Sequence, residues 1–340
     1  MYHRVYNKKP DIFVVKSTVT EDLFDEFAMA CGATYQATIR HARVTAALEQ
    51  GVFRIQRFDI WTNDESGTKK KIGQFLITKG FRNLKFHPGI CLLQGHEHLW
   101  SEAMRMALEA LGDGRYVYGS RFNLEDPRED EMECIRGAYI IEVHDHVVEA
   151  VDFSQWPTWN HYVKNVSNNI RRNIKYFAEN TQNYDIEIKT GIKFIHHIPS
   201  LILSRYKMYR RKTVKCSPYG MIRMYLTRLL SSGSNSYSAR LQISKSNKAT
   251  FSGIQFGALD FYMDGASDDN VRGCGSFLVL EMLARLFNRS PNGKFVLGSD
   301  PNPIRDRESK YTTRHRYRQD LRISYFPTST VNFYYKSPID

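Results

Sequence analysis

The chain has 340 residues, 42% of them apolar and 13% aromatic, which is enough for two hydrophobic cores and too long for one of average size. No run approaches the ~20 apolar residues that cross a bilayer, and no apolar segment follows the N-terminus as a secretory signal requires. The five cysteines (Cys31, Cys91, Cys134, Cys216, Cys274) are scattered and odd in number, which excludes a disulfide scaffold and fits reduced thiols in the cytoplasm. With 48 Lys and Arg against 36 Asp and Glu the net charge is +12. That surplus suits a polyanionic partner (tRNA, DNA, a nucleotide-linked substrate, coenzyme phosphates) or a basic enzyme without one.

Thr20 reads as the N-cap of a helix over 20–30 that carries Leu23, Phe24 and Phe27 on one face and ends at Gly32. A second helix is expected over 34–50, with Ile39, Val44 and Leu48 in phase. Strands over 54–59 and 71–77 form a hairpin around the turn 64–67. Residues 86–89 open a strand ending near Leu93; a helix over 99–111, a strand over 116–120, an acidic loop (125–133) and an alternating strand (136–143) follow. The passage 152–157 separates two domains, 1–152 and 153–340. Thr158 caps one long helix on which Trp159, Tyr162, Val166, Ile170, Ile174 and Phe177 keep helical spacing, with Arg171 and Arg172 opposite. A strand over 185–189, helices over 195–211 and 220–230 and a flexible connection over 231–236 lead to strands at 238–243, 249–256 and 259–263. A Gly-rich turn, a helix over 277–287, a strand over 294–297 and a basic tail over 305–322 complete the chain; further basic clusters lie at 164–175 and 205–215.

The succession hairpin, helix, strand, turn occurs twice, about 180 residues apart, a period too long for a solenoid and suggestive of a duplicated α/β unit with a cleft between its copies. In the second half the order of elements resembles the GNAT acyltransferase fold. The segments Gln36 with the helix after it, 72–77, 159–175, Ser204-Arg205-Tyr206, 261–265, and Leu297-Gly298 ahead of Lys310-Tyr311 resemble the tandem-GNAT branch that contains the FemAB aminoacyltransferases and BioF2-like acetyltransferases. A FemA-type coiled-coil arm is missing. The resemblance implies an α/β (α+β) chain of two GNAT-like domains, each a twisted mixed, mostly antiparallel sheet flanked by helices, the first on the acceptor side and the second binding the donor. It also implies transfer of an acyl or aminoacyl group from aminoacyl-tRNA or acyl-CoA to an amine, with no tightly bound cofactor and no metal.

Within that frame the turn Asn270-Val271-Arg272-Gly273-Cys274-Gly275-Ser276 precedes a helix, where glycine amides and the helix dipole suit a coenzyme A pyrophosphate; Asn270 stands where the family has Gln or Arg, and a plain tight turn uses the same glycines. Ser299 and Asp300 follow a strand at whose end the GNAT sheet splays; Asp300 suits a proton acceptor, or a Ser-Asp-Pro turn. Lys310 and Tyr311 match the family's carbonyl-holding lysine and leaving-group tyrosine, or a solvated basic face. Tyr262 is placed to position the acceptor amine or to pack in the core. Arg171, Arg172, Arg205, Tyr206 and Arg305 are candidates for an anionic acceptor or an RNA end, since arginine grips phosphate and aromatics stack on bases. The pairs His96/His98 and His144/His146 lack further ligands at metal spacing, and Cys274 lacks a histidine partner in the sequence. The alternative function is nucleic-acid binding or base modification on the same fold. The oligomeric state stays open.

Overall fold

The computed structural model describes residues 11–50, 54–63, 66–80, 83–120, 124, 128–211, 217–300 and 317–338. The chain divides into two units, Met1–Ser120 with Pro127–His144 and Ser329–Asp340, and Arg121–Asp126 with Asp145–Thr328.

The first unit runs β1 (Ile12–Lys16), α1 (Glu21–Ala30), α2 (Ile39–Thr45), β2 (Ile55–Asn63), β3 (Lys69–Lys79), β4 (Leu84–Phe86), β5 (Cys91–Leu92), α3 (Trp100–Leu111), β6 (Gly114–Gly119), α4 (Glu129–Glu133) and the first part of β7 (Ala138–Asp152). Its sheet is ordered β1-β2-β3-β4-β6, then the chain's last strand and β7, with β5 beside β3. β3 shows why helices cover both faces. Ile72–Thr78 are all buried, and successive side chains of a strand alternate. Phe75 and Ile77 join the core built with Trp100, Met104 and Leu108 of α3, while Leu76 packs with Phe24, Ile39 and Ala42 of α1 and α2.

The second unit repeats the series. The rest of β7 leads to α5 (Trp159–Asn165), α6 (Asn168–Asn180), β8 (Tyr184–Thr190), a 3-10 segment (Gly191–His197), α7 (Ile198–Arg211), α8 (Pro218–Ser232), β9 (Ser236–Ile243), β10 (Ser246–Phe256), β11 (Leu259–Ser267), α9 (Cys274–Arg289), β12 (Lys294–Asp300) and β13 (Ser324–Tyr335). Its sheet is ordered β8-β9-β10-β11-β12-β7. Each unit thus has strand, two helices, three strands, helix, strand; β4–β6 and β11–β12 pair in parallel, and β1–β2, β2–β3, β3–β4, β3–β5, β6–β13, β7–β12, β8–β9, β9–β10 and β10–β11 are antiparallel. The fold class expected from the sequence is therefore the one observed. Residues 330–335 of β13 pair with β6 of the first unit, whereas residues 147–152 of β7 pair with β12 of the second.

Several local expectations are corrected. The long helix from Thr158 breaks at Val166, and the Ser167 hydroxyl accepts the Ile170 N–H (3.3 Å) to cap a second helix. Both helices keep one core, so the apolar spacing runs through the break. The helix expected over 34–50 opens with a 3-10 turn at Tyr35–Ala37 and restarts behind Thr38. Strand β4 stops at Phe86, before a cis His87–Pro88 bond, and only Cys91–Leu92 pair with β3 beyond it. The 231–236 segment is not a flexible link: Ser231, Ser232 and Ser236 are buried, and the Ser232 hydroxyl donates to Arg228 O (2.6 Å).

Candidate active site in the second unit

β11 and β12 run parallel for three residue pairs, Leu259–Lys294 to Phe261–Val296, and then separate although both strands continue. Each bulges just past the last pair. Against β10, Ser252 faces Asp264 and Gly253 faces Tyr262, so Met263 has no opposite residue. Against β7, Val296 faces Ala150 and Gly298 faces Glu149, so Leu297 is the extra residue. Bulges bend a strand and raise its twist, and Gly298 takes φ +130°, which glycine adopts without a Cβ penalty. Past Phe261, β11 has no strand partner on the β12 side among the described residues, and the Met263 carbonyl at its bulge accepts from Arg228 (3.2 Å).

Arg318 holds the β12 side. Its guanidinium donates to Leu297 O (2.8 Å) and pairs with Glu149. It belongs to a helical turn, residues 317–320, that follows β12. Tyr317 on the same turn is aimed towards Ser276 at the start of α9, and burial pushes its hydroxyl up to about 12. Tyr311, which the sequence suggested as a proton donor, lies outside the described residues, and Tyr317, six positions on, lies within them. Its only signal was an aromatic set between Arg316 and Arg318 in a basic run.

The corresponding place in the first unit is filled. β4 and β6 pair at Leu84–Tyr116 and Lys85–Val117, and then the Gly119 N–H donates to Pro88 O (2.8 Å). The Tyr118 hydroxyl accepts from Trp100 Nε1 (2.8 Å) and from the Ile90 N–H (3.3 Å). Gly89 is required there, because a Cβ would lie 2.6 Å from that hydroxyl.

Tyr262 is half-buried, stacks edge-on to Phe251 (5.3 Å between centroids) and lies over Gly265, where a Cβ would meet its hydroxyl at 2.6 Å. Next to it on β11, Asp264 accepts from Tyr225 and pairs with Arg205. Arg205 also stacks on Tyr209 and donates to its hydroxyl (2.9 Å). Its guanidinium is thus engaged in a partly buried network, while Tyr206 is exposed.

The Gly-rich turn is organised around its own carboxylate. Asp268 Oδ1 accepts the Asn270 N–H (3.1 Å), Asp268 O accepts the Val271 N–H (3.0 Å), and Lys248 pairs with Asp268 (3.2 Å). Although desolvation opposes it, these partners hold the Asp268 carboxyl below its usual range. Gly273 (φ +84°) lies against α6, where a Cβ would meet Asn173 O at 2.2 Å; at Gly275 a Cβ would meet Ser267 Cβ at 2.9 Å. Arg272 donates to Asn173 Oδ1 (3.1 Å) and stacks on Tyr176 (5.0 Å), so it shares α6 with Arg171 and Arg172, both exposed. Cys274 is buried and its thiol donates to Lys248 O (3.3 Å); burial pushes that thiol up, away from nucleophilic chemistry. Arg305, Lys310 and Tyr311 lie outside the described residues, as do the side chains of Ser299 and Asp300.

Beside this turn a groove of about 710 Å³ runs between α7, the start of β10 and the end of β11. Lys207, Arg210, Arg211 and Lys248 line it, with Asp268 the one acid among its walls. Arg211 is pinned by Ser267 O (2.8 Å) and Asp269 (3.2 Å), whereas Lys207 and Arg210 stand exposed along the same wall. Sequence reasoning found the basic cluster but not Lys248, which a strand start delivers from elsewhere in the chain.

No family model matches the chain, and no curated protein matches it in sequence. Solved structures do match in fold. FemX superposes with a TM-score of 0.68 at 8% identity, covering 93% of this chain and 96% of its own. A conserved protein of unknown function from Bacteroides thetaiotaomicron follows at 0.55 and 9%, covering 95% and 100%. The C-terminal domain of a putative lysylphosphatidylglycerol synthetase from Agrobacterium fabrum reaches 0.50 at 12%, covering 94% and 93%. The resemblance first carried by scattered sequence segments therefore holds as a resemblance of fold: over nearly its whole length this chain has the fold of FemX.

Proposed function

We propose that the chain is an acyltransferase that moves an aminoacyl group from aminoacyl-tRNA to an amine. The observation that carries this is the separation of β11 from β12 after Phe261 and Val296, with Tyr317 on the helical turn whose Arg318 holds Leu297 of β12. The amine nitrogen attacks the ester carbon, a C–N bond forms, the C–O bond to the ribose breaks, and the nitrogen gives up a proton. Main-chain N–H groups of β11 at the Met263 bulge polarise the carbonyl. Tyr317 donates a proton to the departing oxygen. Asp300, at the end of β12, receives the proton of the amine.

One feature favours the ester of tRNA over a thioester. The Gly-rich turn spends amides on Asp268 and its glycines on packing, while the groove beside it offers Lys207 and Arg210 to a phosphodiester chain. The test is transfer of a labelled amino acid from charged tRNA to a mixture of amines. Transfer abolished by RNase supports the proposal. Transfer that survives RNase and requires acyl-CoA replaces the donor.

A second function, RNA binding without chemistry, rests on the groove alone. It predicts salt-sensitive tRNA retention and no transfer.

A further inference from the structure

Residues 188–259 contain no Asp or Glu and 13 of the 48 Lys and Arg, so the rest of the chain, with 35 against 36, is almost neutral. Nine of these 13 lie on the 3-10 segment Gly191–His197, α7, α8, β9 and β10, all in the second unit, where Arg205, Arg211, Arg240 and Lys248 are paired with acids from elsewhere in the chain. α8 in this region is apolar on two faces. Met221, Tyr225 and Leu229 are buried with Phe194, Ile198 and Leu201. Tyr219, Ile222, Leu226 and Leu230, at helical spacing, form a second stripe that is exposed, Tyr219 by 73% and Leu230 by 60%. Ile192 (74%) and Ile195 lie exposed on the 3-10 segment that packs against the same helix. A helix with a water-facing apolar stripe implies something that covers it. Lys193 and Arg223, both exposed, alternate with these residues.

We propose that this face docks on an anionic lipid surface, with the aliphatic stripe at the acyl boundary and the lysines and arginines among the headgroups. Both halves of the pattern are then satisfied at once. An RNA would use the charge and leave Ile222, Leu226 and Leu230 against water. A second copy, docking the same face on itself, would bring the exposed Lys193 and Arg223 of both copies into one interface and be repelled. The exposed stripe is distinct from Tyr225 and Arg228, through which α8 contacts Asp264 and Met263 of β11, so docking through it leaves those contacts in place; among the described residues no helix is long and apolar enough to span a membrane.

The test is flotation of the full chain with vesicles of phosphatidylcholine alone and of phosphatidylcholine mixed with phosphatidylglycerol. Flotation is expected with the mixed vesicles and at least about tenfold weaker with the neutral ones. Arg223→Gln and Lys193→Gln should each weaken it by roughly fivefold. The triple variant Ile222→Ser/Leu226→Ser/Leu230→Ser should abolish it while its circular dichroism and its transfer to soluble amines stay unchanged. No flotation, or flotation equal in the triple variant, overturns the proposal. So does a triple variant that loses tRNA retention, or that turns a lipid-free dimer into a monomer, since the face then belongs to RNA or to a second copy. Vesicle binding needs no chemistry, so its failure and a failure of the transfer assay are read separately.

Discussion

Arg318→Met probes how the gap in the second unit is held. Arg318 and Glu149 are buried, with side-chain exposures of 4% and 0%, and the same guanidinium satisfies Leu297 O at the bulge. Methionine keeps most of the length and removes both interactions. Breaking a buried pair from one side costs about 3–5 kcal/mol, and an orphaned carbonyl costs about 1–3 kcal/mol; because one side chain serves both, about 4 kcal/mol is expected in all. For a domain of this size that lowers Tm by roughly 8–16 °C. Urea unfolding followed by fluorescence measures the change. The double variant Arg318→Met/Glu149→Leu should recover most of it, since an apolar pair of similar volume replaces a buried ion pair at little cost. A single variant within about 1 kcal/mol of the parent, or a double variant as weak as the single, refutes the reasoning.

Gly273→Ala must displace α6 from its approach at 2.2 Å and strain a φ of +84°, so about 2–4 kcal/mol is expected in denaturant unfolding. Gly32→Ala, with φ +70° and open space around it, should cost only about 1 kcal/mol; equal losses would contradict the packing role. Tyr317→Phe should lower kcat in the transfer assay about 10²–10⁴-fold at constant KM and near-constant stability; an unchanged kcat removes the tyrosine from the mechanism. Lys207→Gln and Arg210→Gln should each weaken tRNA retention on a filter and reduce its salt slope by about 1, whereas an unchanged slope places the RNA elsewhere. Burial, with Lys85 adding to it, holds His41 down to about 4 and His87 to about 3. The folded first unit therefore binds fewer protons than the unfolded chain below about pH 6.5. Its stability should fall as pH drops through that value towards 4. Desolvation raises Asp25 to about 6, which works in the opposite direction over part of the same window, but two histidines outweigh it. His87→Gln should flatten the slope; a slope unaffected by it is the contrary result.

Local signals gave the sequence its legible part. Thr20 and Thr158 cap helices because their hydroxyls accept from Leu23 and His161, and that needs only neighbours in the chain. The hairpin of β2 and β3 and the helix α9 likewise follow from short-range apolar spacing. The break at Val166 escaped notice because α5 and α6 feed one core, which hides a change of direction from a periodicity count. Arg205 looked like a surface cation, and only the fold sets Asp264 and Tyr209 beside it. The gap was foreseen through resemblance, but its cause, paired bulges at Met263 and Leu297 with Arg318 holding the second, depends on residues far apart in the chain. The return of β13 to β6 left no local trace, because its partner lies more than two hundred residues earlier.

The most direct test of the central claim is a crystal structure of the chain with a stable 3′-aminoacylamino analogue of the charged tRNA terminus. The expected result is the ligand carbonyl between β11 and β12, within hydrogen-bond reach of a main-chain N–H at the Met263 bulge and beside Tyr317. A ligand bound elsewhere, with the two strands closed on each other past Phe261 and Val296, would contradict it.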